Sequence, residues 1–232
     1  MSTLEPRHGA RVWALIALPL VAQLAFVAIG ASILAQSTDA PPKASFYNLP
    51  HALLLLAAYI VFGLTSLVVA RRLGNPRIVL AVRRTRLLRA IGLSGLALVV
   101  GIAVSALLEP IFHGSAGQQL DPGPFPGTTT SFVAVVLTGF TVIVGAALTE
   151  ELYFRGLLYN HLDQRWGVAA AIVGSAGVFG IAHFQPNTFP VLFALGLILG
   201  VLRLRTASIW PGVAVHAGNN ALAFLALLLA AA

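Results

Sequence analysis

The sequence predicts an all-α fold, a polytopic transmembrane bundle of about seven to eight helices, and three observations carry that prediction. Of 232 residues, 58% are hydrophobic and only 9% are charged, and mean hydropathy is +0.91. A soluble domain has roughly a quarter of its residues charged. Apolar runs near the ~20 residues that a helix needs to cross a bilayer recur along the chain. Basic residues fall between those runs, almost all on alternate connections. No polar stretch is long enough to fold as a soluble module, so residues 1–232 read as a single integral membrane domain.

Seven spans follow in order. The first, Trp13 to Leu34, comes after Arg7 and Arg11 and is longer than the h-region of a signal peptide, so it reads as a permanent helix. The Pro-rich "STDAPPKASFYNLP" separates it from the second, Ala52 to Ala70, and the third runs from Ile91 to Leu108. After the loop "GSAGQQLDPGPFPGTTTS" comes the fourth, Phe132 to Tyr153. The stretch after it, "EELYFRGLLYNHLDQRWG", lacks proline, so this helix continues to about Asp163 and turns around residues 164–167. Val168 to His183, Val191 to Leu202 and Ile209 to Leu229 complete the set.

Orientation comes from the 14 Lys and Arg. With a cytoplasmic N-terminus, Arg7, Arg11, Arg71, Arg72, Arg77, Arg83, Arg84, Arg86 and Arg89 fall inside, as do Arg155, Arg165, Arg203 and Arg205. Only Lys43 falls outside. The positive-inside rule favours this arrangement. A basic loop beside anionic lipid accounts for the net charge of +7 without nucleic acid. The absence of cysteine excludes disulfides, thiolate metal sites and a cysteine nucleophile.

"ALTEELYFRG" then poses a problem, because each ionised group at membrane depth costs at least ~2.5 kcal/mol. Glu151 and Arg155 are i and i+4, the favourable spacing for an ion pair, while Glu150 points about 100° around the helix and stays available. Folding the chain back at residues 164–167 brings Glu150 and His183 to nearly one height, ~24 Å above the turn. Phe179 and His183 share a helix face, as do His216 and Asn220 in "WPGVAVHAGNNALAF". Counted from Arg205, His216 lies ~16 Å inside, near mid-bilayer. Asn219 reads as interhelical glue. A carboxylate with an imidazole can deprotonate a water, and a second imidazole with an amide can donate to an oxyanion, which points to hydrolysis of an acyl bond.

Glu150, Glu151 and Arg155, then Phe179 and His183, then His216 and Asn220, in this order on apolar helices, resemble the CPBP intramembrane metalloprotease family. That family includes the type II CAAX prenyl endopeptidases and the bacteriocin-processing Abi proteins. The resemblance covers about residues 132–225, the family-like catalytic core. It implies an eight-helix-like bundle with Glu150 and His183 activating the attacking water and His216 with Asn220 forming the oxyanion site. Glu151, Arg155 and Phe179 would support them.

Glu150, His183 and His216 also form a set that catalytic zinc could take, although no His-Glu-x-x-His motif is present. The metal-free reading follows the resemblance, and a divalent metal such as zinc stays open. Expected partners are membrane lipid and a peptide or prenylated, membrane-proximal protein substrate, with no nucleic acid. The expected location is a bacterial plasma membrane, with the site reached from the cytoplasm or laterally from lipid. Two other classes stay open: a non-enzymatic immunity or scaffold protein, and a proton-coupled transporter using Glu150. A rhomboid-like serine site built on Ser94 of "GLSG" is disfavoured, because Ser94 lies too close to Arg89 to share the depth of His216.

Overall fold

The computed structural model describes residues 9–36, 47–112 and 127–230. Arg7, Lys43 and most of the two Pro/Gly-rich loops lie outside the described residues. The chain forms α1 (Gly9–Gln36), α2 (Leu49–Leu73), a single turn α3 (Pro76–Val79) and α4 (Leu87–Phe112). A helical run, Thr129–Ile181, breaks at Gly167 into α5 (129–166) and α6 (168–181). Then come α7 (Phe189–Thr206) and α8 (Trp210–Ala230). Six runs are long and apolar enough to cross a membrane. The fourth doubles back, so the described residues hold the seven long helices expected.

Local chemistry sets the ends of these elements. Asn48 caps α2 by accepting from the His51 N–H, and Arg71 and Arg72 sit in its last turn, where cations oppose the helix dipole. Asn75 caps α3 with Pro76 in its first turn. Thr128 caps α5 by accepting from the Ser131 N–H. The turn between α5 and α6 depends on Gly167, whose φ of 83° and ψ of 172° suit glycine alone. Around it the helices run antiparallel, with the rings of Phe154 and Phe179 at 5.2 Å and Leu162 against Gly174.

One departure from the expected regular helix lies in α5. The backbone is π-helical over Thr141–Ala146 and again over Glu151–Leu158, with one α turn, Ala147–Glu150, between them. Thr141 and Thr149 return their hydroxyls to the carbonyls of Leu137 and Gly145, at 2.8 Å each, and such back-bonds disturb regular helix. Widened turns of this kind collect at functional positions.

Small residues bring α6 and α7 together. A Cβ at Gly196 would lie 2.8 Å from that of Ala176, and one at Gly200 would lie 3.2 Å from Ile172. Phe62, Tyr153, Phe154, Leu157, Phe179 and Leu199 form the centre of the core. Outward faces of α1 and α4 stay apolar, with Ile33, Val99 and Leu107 more than half exposed, as lipid-facing surfaces require.

Candidate active site

Glu150 projects from the α turn between the two π-helical stretches and is buried. Its Oε1 accepts a hydrogen bond from the Tyr59 hydroxyl of α2 at 2.9 Å. Its Oε2 has no hydrogen-bond partner among the described residues and lies 3.8 Å from Nε2 of His216. That separation exceeds a direct hydrogen bond, yet a water beside both atoms can reach each of them.

Glu151 is fully buried and carries two interactions on Oε1, accepting from Arg155 Nη1 at 2.9 Å and meeting His216 Nδ1 at 3.3 Å. Arg155 is also fully buried. Its Nη2 donates to the Gly196 carbonyl at 3.1 Å, and its guanidinium lies 4.7 Å from the centroid of the Phe179 ring. An arginine at this depth is tolerable because a carboxylate, a carbonyl and an aromatic face replace its water. Phe179 is the hub of the arrangement, with edge contacts to the rings of Phe154, His183 and His216.

Both histidines have one nitrogen committed. His183 Nδ1 lies 2.8 Å from the Phe179 carbonyl. A carbonyl only accepts, so Nδ1 carries the proton and Nε2 of the neutral ring keeps its lone pair. Glu151 orients His216 through Nδ1, leaving Nε2 toward Glu150. Asn220 donates one amide hydrogen to the Val142 carbonyl, in the first π-helical stretch, at 2.9 Å. Glu150, His183, His216 and Asn220 line one cavity of about 300 Å³, together with Tyr59, Phe179 and Asn219.

Residues 131–222 match the family model described as type II CAAX prenyl endopeptidase Rce1-like. This segment is similar to that family. It contains all seven residues of the three sequence motifs and leaves α1 to α4 outside. An uncharacterized 24.3 kDa protein of Escherichia coli is 32% identical over 96 residues, a stretch covering 39% of this chain and 44% of that protein. The chain thus spans less than half the length of this curated relative. No solved structure matches.

Within the Rce1-like segment, the structure pairs the expected residues differently from their helical spacing. Glu151 does hold Arg155, but it does not leave Glu150 alone, because both carboxylates face the same imidazole. His216, rather than His183, is the histidine in contact with Glu150. The depth reckoned from Arg205 also needs correction. α7 ends at Thr206 and α8 begins at Trp210, so part of that count is a turn. That turn is buried beneath the chain after α3, where Ser208 Oγ donates to the Arg83 carbonyl and Ile209 N–H to the Ala81 carbonyl.

The cavity lies toward one end of the bundle. Its walls come from Val142 and Ala146 before Glu150, from Gln185 and Thr188 between α6 and α7, and from Phe224 and Leu227 late in α8. All of these lie toward the ends remote from the arginine-rich connections. Toward the basic face the site is closed by Arg155 and by Arg203. The latter donates to the Arg155 carbonyl at 3.1 Å and to Asn160 Oδ1 at 2.9 Å. Arg155 is therefore a structural cation within the bundle, and Arg203 is a half-buried cation in the last turn of α7.

Sequence reasoning missed two positions. Tyr59 is the single polar side chain in "LLLLAAYIVFG", a signal visible in hindsight but without a partner to name. Gly212 is the other, since a Cβ there would come 2.6 Å from Glu151 Oε2. Ser94 does not line the cavity and donates to the Pro211 carbonyl at 3.4 Å. Among the described residues no three His, Asp or Glu side chains are arranged to hold a metal ion. Glu150, His183 and His216 do not form such a group, so the described geometry does not fit a three-ligand zinc site.

Proposed function

We propose that the protein is an intramembrane endopeptidase that hydrolyses a peptide bond with a water activated by Glu150. The single observation that carries this is the unpartnered Oε2 of Glu150, facing His216 Nε2 at 3.8 Å in a cavity that also holds His183 and Asn220. The Rce1-like match over 131–222 supports the reaction class.

In this reading Tyr59 fixes Oε1, so that Oε2 is the atom offered to the water. Glu150 takes a proton as the water oxygen bonds to the scissile carbonyl carbon, and the Nε2 lone pair of His183 accepts a hydrogen bond from the hydrogen that stays on that oxygen. His216 in this reading carries a proton on each nitrogen, Nδ1 toward Glu151 and Nε2 toward the cavity, so its Nε2 and the second amide hydrogen of Asn220 donate to the oxyanion. Collapse breaks the C–N bond, and Glu150 returns its proton to the leaving amine. Protonation of the base makes cleavage fall in acid.

The substrate in this reading is a membrane-proximal peptide, with a prenylated cysteine peptide the first to try because of the family's description. The location is a bacterial plasma membrane with the N-terminus cytoplasmic, which puts the cavity in the outer half of the bilayer. With no native cysteine, this orientation is directly measurable. An impermeant maleimide added outside cells should label Asn187→Cys and spare Arg84→Cys; the reverse pattern overturns the orientation.

Reconstitution in liposomes with a prenylated peptide and a transmembrane peptide library tests the activity. Cleavage by wild type that Glu150→Gln abolishes is the expected result. Equal cleavage by the variant refutes the use of this site, and loss on chelation with recovery on adding zinc refutes the metal-free mechanism.

A further inference from the structure

A second cavity, of about 670 Å³, lies at the opposite end of the bundle from Glu150. Its walls are the first turns of α1, the last turn of α2, α3 with the segment after it, and the last turns of α5. Most of these elements fall outside the Rce1-like segment. Nothing in the proposed peptidase chemistry uses them.

Its chemistry is cationic on an apolar base. Arg72, Arg83 and Arg165 line it, and among the described residues none of the three has a carboxylate within ion-pair distance. His161 also lines it, with Nε2 buried and without a hydrogen-bond partner among the described residues. Val12, Leu73 and Val79 supply apolar wall. The wall is braced, because Asn160 donates to the Val79 carbonyl and accepts from Arg203. Trp13 meets His161 edge-on at 4.5 Å and stacks on Trp166 at 5.3 Å.

Paired tryptophans at helix ends mark headgroup level. Arginines gathered there above an apolar floor match a lipid phosphate with its acyl chains, and basic pockets between helices at such a level take anionic headgroups. We propose that this cavity binds a phosphate-bearing headgroup of an anionic phospholipid, with Arg72, Arg83 and Arg165 on the phosphate.

Native mass spectrometry of detergent-purified full-length protein tests this with three probes: phosphatidylglycerol, phosphatidylethanolamine and inorganic phosphate. The expected result is one tightly retained phosphatidylglycerol, weakened roughly fivefold by each of Arg72→Gln, Arg83→Gln and Arg165→Gln. Phosphatidylethanolamine should bind more weakly and respond less to the same changes. Displacement of the lipid by millimolar inorganic phosphate would support the anion site but refute the lipid as its source. Wild-type retention in all three arginine variants, each eluting as a monodisperse protein, overturns the proposal. If any one variant fails to fold, the remaining variants decide in the same way.

Discussion

The two cavities are built from opposite materials. Around Glu150, two imidazoles and Arg155 surround the Phe179 ring, and a second carboxylate, Glu151, holds both Arg155 and His216. At the other end, three arginines share a pocket with no carboxylate within ion-pair distance among the described residues. Burial explains the contrast. Charges deep in a bundle must neutralise one another, whereas charges at headgroup level can be left to lipid or water. Glu150 Oε2 and Glu151 Oε2 both lack a partner among the described residues, but of the two glutamates Glu150 is the one that lines the cavity, so it is the position where the comparison is most easily broken.

The largest effect should come from Glu150→Gln, which removes the base while keeping the shape. Turnover of a cleaved peptide should fall about 10²–10⁴-fold with unchanged thermal unfolding in detergent. Arg155→Met comes next and strikes the fold. It leaves Glu151 buried without its cation, and breaking a buried pair costs about 3–5 kcal/mol, which should appear as a lowered unfolding midpoint and poor yield. Equal stability would mean that Glu151 is neutral or solvated in place.

Tyr59→Phe is subtler. It removes one hydrogen bond to a carboxylate, and at about 1.5–3 kcal/mol the loss should lower turnover by about 10- to 100-fold with little change in KM. A purely structural tyrosine would change stability without that split. The smallest effect is expected at the basic cavity, where Arg165→Gln should leave turnover alone and shift stability by less than about 0.5 kcal/mol. A large loss of turnover there would show that the two cavities are coupled and dissolve the contrast.

Much of the architecture was legible because the bilayer imposes a simple rule on composition. An apolar run near 20 residues has nowhere else to go, and its backbone must close its own hydrogen bonds. The spans read from the chain match α1 to α8 to within a few residues, apart from the single turn α3. The reversal at Gly167 was legible for a related reason: a proline-free polar stretch ends at a glycine whose backbone no other residue readily adopts. Glu151 with Arg155 was legible because four residues along one helix is a local distance.

What the chain order could not supply was the pairing between helices. Tyr59 meets Glu150 across 91 residues of sequence, and neither carries a mark of the other. That both glutamates face His216 depends on the π-helical turns around Glu150, and these rest on where Thr141 and Thr149 send their hydroxyls. Gly212 matters only because α8 passes close enough for Glu151 Oε2 to occupy the space of a missing Cβ. The sequence by itself determined the medium, the spans and the group of residues that could do chemistry, since these follow from composition and local spacing. Tertiary structure alone decided which atom remains free and which end of the bundle the cavity occupies, because such choices turn on contacts of 3–4 Å between distant helices.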